Sequence, residues 1–147
     1  MNPIMSIMNR IGIIIIGLAL NLGPEPAAAE VIVVVSATNP VTTLSKNQVV
    51  DIFLGKVSRF PGGSQAEPID QVEGSAAREE FYLKFAGKSP AQLKAHWSKI
   101  IFTGRGQPPQ ETSNDIEVKK FITKVPNAIG YIERKQVDGS VKVLLTQ

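Results

Sequence analysis

Cysteine is absent from the chain, which excludes thiol catalysis, iron–sulfur clusters, cysteine-bound zinc and disulfide stapling together. Histidine and tryptophan occur once each. The single imidazole, His96, sits beside Trp97 in a stretch of helical spacing, where a surface or half-buried helix residue is expected and no nucleophile stands next to it. No Gly-x-Ser-x-Gly elbow, His-Glu-x-x-His pair or Walker loop occurs. Glu79 and Glu80 are adjacent and so point in different directions round a helix, where they serve as favourable first-turn charges. These residues predict no enzyme, no cofactor and no metal site. A block of one charge is missing too. The formal net charge is +3 with both signs interspersed, so nucleic-acid binding is not expected, although a small anionic ligand is compatible.

Long apolar runs are scarce. Ile11 to Leu22 is the main one, and it is shorter than the ~20 residues needed to span the bilayer core. It follows a short segment with one basic residue, Arg10, and precedes Gly23, Pro24, Pro26 and the small residues Ala27 to Ala29. This pattern predicts a signal peptide over residues 1–29, cleavage near Ala29, and a periplasmic or secreted product. Residues 30–147 then form one domain, long enough to rely on its core without disulfides.

Val31 to Val35 is an unbroken β-branched run, as expected of a strand buried on both faces. Ser45 with Gln48 forms a capping box that starts a helix ending at Gly55, with Val49, Ile52 and Phe53 as its apolar stripe. Arg59 to Ala66 reads as a loop and Pro68 to Val72 as a short strand. A second helix carries Phe81, Tyr82 and Phe85 and stops at Gly87. Ser89-Pro90-Ala91-Gln92 caps a third, with Leu93, Trp97, Ile100 and Ile101 on one face. Phe102 to Thr112 reads as irregular. Asn114 with Glu117 starts a fourth helix, and Ala128 to Ile132 and Val141 to Leu145 read as strands. The predicted class is α/β, a small mixed sheet covered by about four helices.

One stretch carries the functional interest. Gln71 to Arg78 (Gln-Val-Glu-Gly-Ser-Ala-Ala-Arg) is a glycine-containing loop entering a helix. Helix N-termini present unpaired N–H groups and a partial positive charge, so such a loop either holds an anion or simply caps its helix through Ser75. Arg105, in the Gly104-Arg105-Gly106-Gln107 loop, is a second candidate contact for an anion or a protein partner.

Asn39-Pro40, Leu44-Ser45 and Asp51 to Lys56, then Phe81-Tyr82, Trp97, Phe102-x-Gly104 and Ala128 to Tyr131, resemble one lobe of the phosphate-binding proteins of ABC uptake systems, which are type II periplasmic binding proteins. The resemblance covers nearly all of Glu30 to Leu145. It implies a single lobe of that fold, working with an ABC transporter or another periplasmic partner. It also implies phosphate or another small oxyanion as ligand. In the family the phosphate loop reads Arg, any residue, Asp, Gly, Ser, Gly, Thr. The matching positions are Gln71, Val72, Glu73, Gly74, Ser75, Ala76 and Ala77. Ser75 carries over as a hydroxyl donor, Ala76 and Ala77 as backbone donors, and Glu73 as the acidic member. Gln71, Ala76 and Ala77 depart from the pattern, and Arg78 is the nearest cation left. The family closes two lobes over its ligand, whereas residues 30–147 amount to one. Either the ligand then binds weakly, or another chain supplies the second wall, for which a homodimer is the simplest case. The alternative is a non-catalytic interaction or accessory module that keeps the lobe without the ligand.

Overall fold

The computed structural model describes Gly23 and residues 30–146; the signal segment expected over residues 1–29 otherwise lies outside the described residues. Among the described residues no helix is long and apolar enough to cross a membrane. Strand β1 (Val31–Ser36) is buried along its whole length. It pairs antiparallel with β5 (Ala128–Glu133) on one side and β6 (Val141–Val143) on the other. Strand β3 (Glu67–Gln71) lies parallel to both β5 and β4 (Gln110–Thr112), giving the order β4-β3-β5-β1-β6. A separate parallel pair joins β2 (Thr43–Leu44) to β7 (Leu145–Thr146).

Alternation along β1 explains the layers. Val31, Val33 and Val35 face the aromatic core contributed by α1 (Lys46–Phe53), α2 (Ala76–Ala86) and α3 (Pro90–Phe102). Ile32 and Val34 face the opposite way, onto Val118 and Ile122 of α4 (Asp115–Lys124). Successive strand side chains point to opposite faces, so a run of β-branched residues serves both layers. Both capping boxes form as the spacing predicts, at Ser45–Gln48 and Ser89–Gln92. Gly87 ends α2 at φ +62°, a left-handed conformation that favours glycine. The small mixed sheet with four helices is the expected class.

Three local expectations differ. The stretch from Phe102 to Thr112 is not wholly irregular: α3 runs through Phe102, and Gln110–Thr112 forms β4. Gln-Glu-Thr on a sheet edge has no apolar face to bury, so no periodicity announces it. Ile101 is 51% exposed: Leu93, Trp97 and, in part, Ile100 lie against the core, and Ile101 turns away from it. Val141 to Leu145 is two strands: Leu144 N donates to Val33 O at 2.9 Å, and the chain leaves β1 there to pair with β2.

Candidate functional site

Strand β3 ends at Gln71, and a turn through Val72 to Ser75 leads into α2. Val72 N donates to Thr112 O and Ser75 N to Val72 O, fixing the turn against β4. Gly74 sits at φ +87°, where a side chain would be strained. Ser75 is the N-cap, its Oγ accepting from Arg78 N at 3.3 Å. The N–H groups of Ala76 and Ala77, in the first turn, have no partner among the described residues.

The side chains of this loop are engaged with one another. Ser75 Oγ donates to Gln71 Oε1 at 3.0 Å. Gln71 Nε2 in turn donates to Asp115 Oδ1 at 2.7 Å and to Tyr131 O at 3.2 Å. Arg78 folds back along the helix so that Nη1 donates to Gln71 O at 2.8 Å and to Glu111 Oε1 at 2.7 Å. The length of the Arg78 side chain thus brings the guanidinium back to the end of β3, beside Gln71. Glu73 and Gly74 are exposed and make no side-chain hydrogen bond among the described residues. The structure therefore brings Gln71, Ser75 and Arg78 into one network, with Glu73, Gly74, Ala76 and Ala77 around it. Arg105 is not part of it. It lies exposed after α3, with its backbone N–H donating to Ile100 O.

Sequence reasoning missed the group beneath the loop. Asp70 is 1% exposed. Tyr82 donates to its Oδ2 at 2.6 Å; Tyr131 donates to Oδ1, and Gln71 N reaches the same oxygen at 2.8 Å. Arg78 Nη1 lies 4.0 Å from Oδ2. Burial pushes the Asp70 carboxyl above the ordinary value of 3.8, against the opposing hydrogen bonds from the tyrosines and the charge of Arg78. Burial and the neighbouring Asp70 push both phenols well up. Burial works against the charge of Arg78, but Asp70 and Glu111 outweigh it and hold the guanidinium above its usual range. Nothing in the five-residue strand Glu67–Gln71 signals such a carboxylate; only the later tyrosines, far apart in sequence, complete the cluster.

A titration follows from Asp70. Because its folded pKa is raised, its contribution is full below about pH 3.8 and is lost as pH rises through the folded value. Chemical denaturation of the wild type and Asp70→Asn from pH 4 to pH 7 should show the difference moving against the wild type as pH increases. A constant difference would contradict this assignment.

Neither protein-family models nor curated protein sequences match the chain. Solved structures do. A phosphate ABC transporter substrate-binding protein with bound phosphate from Clostridium perfringens superposes with a TM-score of 0.62 at 22% identity, over 79% of this chain and 44% of that one. An ABC-type phosphate transport receptor from Vibrio cholerae gives 0.63 at 19% identity, over 79% and 45%. PstS from Borrelia burgdorferi gives 0.61 at 13%, over 80% and 47%. The chain thus spans less than half the length of these structures. Its fold is similar to part of the fold of these phosphate ABC transporter substrate-binding structures.

Proposed function

We propose that this chain is an exported, non-enzymatic solute-binding-like protein that meets phosphate or another small oxyanion at the loop from Gln71 to Arg78, in connection with ABC-type uptake. The observation that carries this reading is the pair of unpartnered N–H groups of Ala76 and Ala77 at the start of α2, on the fold shared with phosphate-binding structures. Ser75 and Arg78 join the ligand by exchanging their present partners, Gln71 and Glu111. Glu73 accepts from a protonated oxyanion. That exchange weakens binding, as do the nearby carboxylates of Glu73, Glu111 and Asp70 and the lack of a cationic side chain at Gln71. A charge-assisted hydrogen bond is worth about 1.5–3 kcal/mol, so its loss lowers affinity by about one to two orders of magnitude. A second copy of the chain, or a transporter component, supplies the opposite wall.

Thermal unfolding with and without phosphate, against chloride at matched ionic strength, tests the reading. A ligand at 100 times its dissociation constant adds about 2.7 kcal/mol. An upward shift with phosphate or sulfate that disappears in Ser75→Ala is expected; no shift with any oxyanion would contradict it.

The internal engagement of Arg78 with Glu111 and of Ser75 with Gln71 favours a second reading, a non-catalytic interaction module built on the same lobe. On that reading, Ser75→Ala and Arg78→Ala keep biological function, while changes on an exposed surface such as the Arg105 loop abolish it.

A further inference from the structure

Beside the loop, α2, α3 and the segment before β4 enclose a cleft of about 210 Å³. An engineered cavity of about 150 Å³ accommodates benzene, so this one has room for a branched aliphatic side chain. Its walls include faces of Tyr82, Leu93 and Trp97, and Ile101 extends the apolar surface outward.

The charges round the rim are sorted by sign. Arg78 and Glu111 neutralise each other at 2.7 Å. Glu73 precedes α2 and Glu79 is in its first turn, while Lys88 follows α2 and Lys94 is in the second turn of α3. None of these four makes an ion pair among the described residues. From Glu79 to Lys88 the chain rises about 13–14 Å along α2, and the long side chains shorten the gap between charged tips. A single amino acid carries its charges too close together to meet both ends, and a fatty acid carries only one. An extended tripeptide spans about 10 Å.

From this juxtaposition of unpaired carboxylates, an apolar wall and unpaired ammonium groups, we propose that the cleft binds a short apolar peptide with free termini. The peptide ammonium faces Glu73 and Glu79, its carboxylate faces Lys88 and Lys94, and its side chains lie on Leu93 and Trp97. The cleft shares Glu73, Gly74 and Arg78 with the loop but includes neither Ala76 nor Ala77, so the proposal does not rest on oxyanion binding.

Trp97 is the only tryptophan, and its emission reports on the cleft directly. The full chain is titrated with trileucine, N-acetyl-trileucine, trileucine amide and free leucine. A saturable change in emission is expected with trileucine, weakened about fivefold or more by capping either end, with free leucine binding weakest. Lys94→Glu should reduce the preference for a free carboxylate without altering the far-ultraviolet circular dichroism. Ser75, which does not line the cleft, separates this proposal from the oxyanion reading: Ser75→Ala should leave the peptide response unchanged. No saturable change up to the peptide's solubility limit, or equal binding of free and capped peptides, would overturn it.

Discussion

Replacing Asp70 with alanine should destabilise the domain by about 3–5 kcal/mol, a large fraction of the 5–15 kcal/mol that holds a domain of ordinary stability together. The loss has a definite origin. Asp70 is the shared acceptor for Tyr82 and Tyr131, two of the largest fully buried side chains, and alanine leaves both phenolic donors without it. A buried donor stripped of its partner costs about 1–3 kcal/mol. Arg78 and the backbone N–H of Gln71 lose the same carboxylate. Tyr82→Phe and Tyr131→Phe remove a single donor each and leave the acceptor in place, so each should cost only about 1 kcal/mol. Because the contribution of Asp70 fades as pH rises, the deficit of Asp70→Ala should be larger at pH 4 than at pH 7. Urea denaturation measures all three variants, and a deficit for Asp70→Ala no larger than that of the phenylalanine variants would contradict the shared-acceptor account.

The second large effect belongs to Gly130. A methyl group there would lie 2.7 Å from Val118 Cγ1, 3.0 Å from Ile69 Cγ2 and 3.2 Å from Ile122 Cδ1. The terminal methyl of Ile122 can move aside, but Val118 is β-branched with a stiff χ1, so α4 itself must lift from β5. Overpacking of this kind typically costs about 1–3 kcal/mol, and Gly130→Ala should fall in that range, with Gly130→Val worse. The adjoining residue in β5 is Tyr131, whose ring stacks on Phe81 with centroids 4.1 Å apart. A displaced β5 therefore also disturbs the hydroxyl that donates to Asp70. Denaturant midpoints give the cost; a neutral Gly130→Ala would mean that the helix and sheet are not in close contact there.

What could be read from the chain order follows local physics. Ser45 and Ser89 each stand three residues before a glutamine, and their capping geometry requires no tertiary partner. The β1 run is apolar on both faces because both faces are covered. Elements held by distant partners were not legible. Strand β4 is three residues long and polar, and exists because β3 offers it a parallel edge. The short β2 is defined only by its pairing with the end of the chain. At the candidate site, the glycine-containing loop entering a helix was legible from its own residues, whereas Asp70, Glu111, Asp115 and Tyr131 are brought to it by the sheet. Those residues decide its electrostatics: Arg78 meets carboxylates before it meets any ligand. Gln71 shows the same division. Its loss of charge is plain in the sequence, but its amide linking Ser75, Asp115 and the Tyr131 carbonyl is a property of the fold.

The most direct test is a residue-resolved titration of backbone amide resonances with inorganic phosphate at constant ionic strength. Saturable shifts concentrated at the amides of Gly74 to Arg78, led by Ala76 and Ala77 and lost in Ser75→Ala, are the expected result. Amides in that loop that stay fixed at all phosphate concentrations, or that move no more than the rest of the domain, would contradict the assignment of the loop as the place where an oxyanion is met.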